Sequence, residues 1–266
     1  LNLASGGSTV HLTAQPGESN DAELTLAIAS LADWLPDAGG RLDGHLAIRG
    51  KAPRLSVNGI VHGQRLAWQQ QKLDALQLIV GIPDISAPSG KLDLDARGLL
   101  AFDGLAFDRL HLLAEGSQAT HRLTLQADGR QLSTDLALDG SLKNGAWSGT
   151  LGRLDLAPQG LPRWRLQQPA ALSYRDGAAS VSELCLTAGD PLLCASARQD
   201  KAGNLDANYR LRALPLALIL NAAGMADLPL RADGSIEGDG QLRRSASGAL
   251  SGHAALAKTS CEEGTG

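Results

Sequence analysis

The residues whose types and spacing most directly specify a chemistry are Cys185 and Cys194, and the chemistry is a disulfide. They flank Gly189-Asp190-Pro191. An antiparallel hairpin turning between Gly189 and Asp190 sets the two cysteines opposite each other, at the separation a disulfide requires. On the loop-entropy model a bond closing so short a loop stabilises the hairpin by roughly 2.7 kcal/mol. Two buried free thiols are the alternative, and an oxidising compartment such as the periplasm favours the bond. Cys261 is left over, in a tail that shows no regular pattern.

Other chemistry finds little support. His11, His45, His62, His111, His121 and His253 are scattered one per strand or turn, with no pair at metal-ligand spacing and no cysteine partner. Asp93 and Asp95 alternate with Leu92 and Leu94, which puts both carboxylates on one strand face. Calcium binding is one reading of that pair, and a solvated outer face is the other. Gly238-Asp239-Gly240 lacks the third glycine of a dinucleotide fingerprint. Ser148, in Gly145-Ala146-Trp147-Ser148-Gly149, is out of step with a nucleophile elbow. The sequence therefore reads as a non-enzyme with no metal and no cofactor. A net charge of −4 argues against a nucleic-acid partner.

Strands are the elements that carry these residues. Apolar and polar residues alternate in Leu24–Ile28, Leu42–Ile48, Leu76–Val80, Lys91–Asp95, Leu123–Leu125, Leu132–Gly140, Leu205–Leu211 and Leu250–Leu256, the period that sends successive side chains to opposite faces. Asp103-Gly104, Asp128-Gly129, Asn144-Gly145, Asp176-Gly177 and Ala202-Gly203-Asn204 separate the runs with hairpin-turn chemistry. Little room is left for crossover helices, so the pattern predicts an all-β antiparallel meander.

The alternation predicts one continuous apolar face built by Leu24, Leu26, Ile28, Leu46, Ile48, Leu76, Leu78, Val80, Leu92, Leu94, Leu123, Leu125, Leu136, Leu138, Leu211, Leu250 and Leu256. Strands of about six residues spanning ~20 Å, roughly 18 to 20 of them spaced ~4.8 Å apart, make a long ribbon. Strand twist of about 20° per pair curls such a ribbon into a strongly curved gutter with a hydrophobic groove. Apolar residues are 43% of the chain but aromatics only 3%, so the face is wide and made of small and medium side chains.

Two segments depart from period two in the same manner and predict short helices at 29–36 and 214–224. The first runs Ser30-Leu31-Ala32-Asp33-Trp34-Leu35-Pro36, the second from Leu214-Pro215 to Leu228-Pro229, and a Gly-x-(Leu/Ile)-x-Gly strand follows each. That shared order suggests an internal repeat. Residues 1–257 read as one continuous array, and 258–266 as a disordered or foreign tail. No run reaches the roughly 20 apolar residues of a membrane helix. The start at Leu1, already mid-strand, suggests a fragment whose membrane contacts lie in missing termini.

The stretch Leu161-Pro162-Arg163-Trp164-Arg165-Leu166 to Leu172, then Val181–Leu186, Leu192-Leu193-Cys194 and Leu211–Leu216, resembles the middle-to-late region of TamB proteins. Gly248-Ala249-Leu250-Ser251-Gly252 is similar as well. The resemblance covers most of residues 21–256 and rests on the order of loose motifs around the cysteine pair. It implies a protein anchored in the inner membrane of a Gram-negative bacterium, crossing the periplasm to a TamA-type outer-membrane barrel partner. It also implies kinship with AsmA-like bridges whose curved sheets carry phospholipid. Two other readings of the alternating face remain: a module that assembles outer-membrane β-barrels and autotransporters, and a self-filled β stalk.

Overall fold

The computed structural model describes residues 1–15, 17, 20–87, 89–101, 104–216 and 234–259. These residues fall into two compact units, Leu1–Ser141 and Leu142–Gly266. Both are all-β and antiparallel, as the alternation predicted.

In the first unit β1 (Asn2–Ser5), β2 (Ser8–Gln15), β3 (Asn20–Ile28), β4 (Ala38–Lys51), β5 (Arg54–Trp68), β6 (Gln71–Asp84), β7 (Ser89–Leu100), β8 (Ala106–Ser117), β9 (His121–Asp128) and β10 (Leu132–Lys143) follow in order. Each strand pairs antiparallel with the next, from β1 to β10. The central strands exceed the six residues expected. β5 has 15 residues, which at ~3.3 Å per residue is about 50 Å. The short apolar runs join because the glycines between them, Gly44, Gly59 and Gly63, stay inside the ladder. At Gly59 the partner strand comes so close that a Cβ would lie 2.6 Å from the His45 carbonyl oxygen and 2.8 Å from Leu46 Cγ.

The second unit contains β11 (Ala146–Pro158), β12 (Trp164–Leu166), β13 (Ala170–Arg175), β14 (Ala178–Thr187), β15 (Leu192–Gln199), β16 (Leu205–Pro215), β17 (Ser235–Arg244) and β18 (Leu250–Thr259). β12 and β13 occupy successive stretches of the lane between β11 and β14. The break between them falls at Gln167-Gln168-Pro169, where proline supplies no ladder donor. From β14 to β18 each strand pairs with the next. The β13–β14 turn has φ of 49° at Asp176 and 85° at Gly177, the two positive values of the hairpin turn that Asp-Gly predicts.

The helical expectations fare unevenly. Segment 29–36 contains a single 3₁₀ turn, Leu31–Asp33. Its Asp33 accepts a hydrogen bond from the fully buried Ser8 hydroxyl at 2.8 Å. The expected helix at 214–224 begins instead as strand: Leu214 and Pro215 pair with Ile236 and Ser235 beyond a bulge, so proline sits at the strand end, where a missing N–H costs least. Leu216, directly after the strand, is helical, and residues 217–224 lie outside the described set. The supposed tail also starts later, since Lys258 and Thr259 pair with Ile236 and Ser235 in the last ladder; residues 260–266 lie outside the described set.

Candidate functional site: a half-buried apolar face

In an antiparallel ladder, residues directly opposite share a face, so register decides which side chains meet. One row of the first unit runs Leu12, Leu24, Leu46, Gly59, Val80, Leu92, Ala114, Leu123, Leu138. The next runs Val10, Leu26, Gly44, Val61, Leu78, Leu94, Leu112, Leu125, Leu136. A third joins Ile28, Leu42, Gly63, Leu76, Ala96, Leu110 and Ala127, and a fourth Ala22, Ile48, Val57 and Ile82. Every residue that the alternation proposed between Leu24 and Leu138 therefore lies on one face. Sequence reasoning missed Val10, Leu12, Val57, Val61, Ile82, Leu110 and Leu112, which stand in equally alternating runs and become visible once the register is known.

That face is not a closed core. Among the described residues of the first unit, Ile28, at 9% exposure, is the only Leu, Ile or Val that is fully buried, beside the small Ala96, Ala127 and Ala137. The other Leu, Ile and Val side chains of these four rows are half-buried, while Leu35, Trp68 and Ile79, outside the rows, are exposed.

The second unit places Leu211 and Leu256 in the row Leu166, Leu186, Leu193, Leu211, Gly238, Leu256, with Leu250 on the same side of β18. Here the face is filled from within. Trp164, Leu186 and Leu214 are 4%, 8% and 5% exposed and pack with Leu156, Leu193, Leu211 and Ile236. At the β18 edge it opens again, with Leu250 and Leu256 exposed at 67% and 63%. The cysteine pair lies on the opposite face. Cys185 pairs directly with Cys194, with Cα atoms 4.0 Å and sulfur atoms 2.09 Å apart. Arg210, next along that row, donates to Glu183 Oε1 at 2.6 Å.

The polar face of the first unit brings together what the sequence scattered. His111 stands opposite Asp95, and its Nε2 is 2.9 Å from Asp93 Oδ1. These three groups offer ligand atoms within 4.8 Å of one another. The cluster carries its own cation, however, because the Lys91 ammonium lies 2.9 Å from the other Asp93 oxygen. Hydrogen bonds from Lys91 and then His111 hold the Asp93 carboxyl below the usual carboxylate range, and the Asp93 hydrogen bond holds Lys91 above its own. The arrangement is an ion-pair network on a solvated face.

Two all-β units of paired antiparallel strands, one with a broad and unclosed apolar face, define a class of long-sheet scaffold. Residues 1–261 match the family model for the TamB N-terminal domain, and the chain belongs to the TamB family, proteins of the Gram-negative cell envelope. The match places it in the N-terminal domain rather than the middle-to-late region suggested by the motifs, and it extends past Ala257. No curated protein and no solved structure matches the chain. Among the described residues no helix is long and apolar enough to cross a membrane.

Proposed function

We propose that the chain is a section of an envelope bridge that conducts phospholipid along its apolar face between the inner and outer membranes. In this reading the bridge is inner-membrane anchored and works with a TamA-type outer-membrane barrel protein. The observation that carries the reading is the half-burial of Leu78, Leu94, Leu136 and their row-mates across β2 to β10. A self-filled stalk would bury such residues as completely as Trp164 is buried in the second unit. An acyl chain laid on this face leaves water at a gain of roughly 0.8 kcal/mol per methylene. Near-uniform Leu and Val contacts give it no deep trap, so it slides.

Charge placed on the face tests the reading. In Leu78→Arg and Leu136→Asp the new head reaches water, so circular dichroism stays that of the wild type, while lipid photocross-linking at neighbouring positions falls. Unfolding of both variants would support a closed core, and wild-type cross-linking in folded variants would remove the conduit. The assembly-module reading draws on one observation, the exposed β18 edge, which pairs only with β17 among the described residues. It predicts that blocking this edge, rather than charging the face, abolishes activity.

A further inference from the structure

The polar face of the first unit repeats one arrangement of side chains. Along a single row the ladder sets Asp43, His62 and Gln77 side by side on β4, β5 and β6, then Asp95, His111 and Gln126 on β7, β8 and β9. Each aspartate at the head of a trio has a second ligand-type residue two positions away on its own strand, His45 for Asp43 and Asp93 for Asp95. Residues two apart on a strand share a face. Both places therefore gather three groups that can bind a metal: two on one strand and a histidine directly across from one of them.

The two clusters differ at one position. His45 and Asp93 lie in the same row, and the row beyond it carries Lys91 beside Asp93 but Ala47 beside His45. The β7–β8 cluster thus holds its own cation, the Lys91 ammonium at 2.9 Å from Asp93, and the β4–β5 cluster does not. Among the described residues Asp43 forms an ion pair with His62 alone, Nδ1 lying 3.4 Å from Oδ2; Arg41, two residues before it, does not pair with it. The exposed His45 ring bonds to nothing among the described residues.

We infer that Asp43, His45 and His62 form a binding site for one divalent transition-metal ion of the zinc class, with solvent in the fourth position. Directly opposed Cβ atoms of neighbouring strands are about 4.5–5.5 Å apart and diagonal ones about 7–8 Å, a span that three side chains close around an ion held by bonds of about 2.0–2.2 Å. His45 turns onto the Asp43–His62 pair by changing rotamer, which its exposure leaves open. Two imidazoles and one carboxylate select zinc, copper or nickel over calcium and magnesium, which take oxygen ligands. Neither histidine has a ligand-spaced histidine near it in sequence, because the pairing of β4 with β5 makes the site. It lies on the face opposite the apolar rows and is independent of lipid.

The probe is zinc, titrated against a chromophoric chelator into the untagged full chain near neutral pH, where ligand histidines are unprotonated. Cys185 and Cys194 are kept oxidised and Cys261→Ser removes the remaining thiol. One zinc per chain is expected. His45→Gln and His62→Gln should each weaken it at least about tenfold, since even the loss of a residue behind a ligand costs that much. Ala47→Lys should weaken it too, by supplying the cation that fills the β7–β8 cluster, whereas His111→Gln leaves it unchanged. Zinc should also raise the urea midpoint of the wild type and not that of His62→Gln, because the ion binds the folded chain alone. Circular dichroism checks that each variant is folded. Binding that survives both His45→Gln and His62→Gln overturns the site, as does the absence of binding in the wild type. Binding lost in His111→Gln but kept in Ala47→Lys overturns it in favour of the β7–β8 cluster.

Discussion

Cys185 and Cys194 sit in directly opposed positions of a ladder and are 3% and 1% exposed. In protein made in an oxidising compartment they are expected to be joined. Intact mass should rise by about 2 Da on reduction, with neither cysteine alkylated beforehand; two alkylatable thiols would refute the pairing. Asp93 gives a second prediction at this scale. Its folded pKa lies below the ordinary 3.8, through Lys91 first and His111 second. A depressed carboxyl contributes stability that is present above its unfolded pKa and lost as pH falls through the folded value. Asp93→Asn should therefore lower the urea midpoint at pH 7, and the difference from wild type should shrink as pH falls below the ordinary carboxylate range. A difference that persists at low pH would mean that Asp93 acts through packing rather than charge.

At the scale of elements, the two units treat the same kind of strand differently. The short β12 delivers one large aromatic side chain, Trp164, onto an apolar face, where it packs with Leu186 and Leu214. The four rows of the first unit's face hold Leu, Ile, Val, Ala and Gly and no aromatic side chain. Trp164→Ala should therefore cost about 3–5 kcal/mol, read as a lower denaturant midpoint, because it leaves a cavity in a closed cluster. Leu78→Arg in the first unit should cost far less, since its head group reaches water. Equal losses in the two variants would show that both faces are buried alike.

For the whole molecule, a net charge of −4 gives no general attraction to anionic lipid. Lipid retention must come mainly from apolar contact, which salt does not screen. Native mass spectrometry of the purified chain should find phospholipid bound, with occupancy unchanged when it is prepared at high instead of low ionic strength. Lipid that salt strips away would move the binding to charged groups and count against the apolar face.

Much of this was legible in the residues. Alternation at period two is a local consequence of strand geometry, so the all-β class, the apolar set from Leu24 to Leu138 and the hairpin that aligns Cys185 with Cys194 follow from short stretches read alone. What lay beyond the sequence depends on contacts between distant residues. Register between neighbouring strands decided that Val10, Val61 and Leu112 join the same row as Leu78. Left-handed backbone at Arg65 and Gly98 brought Leu66, Leu73 and Leu99 back into phase, a reset that no count of alternating residues detects because it lies in φ rather than in side-chain type. Closure was likewise undetermined, since a groove and a dry core demand the same pattern. Only the packing of Trp164 against Leu186 and Leu214, and the half-burial of the first unit's face, tell them apart.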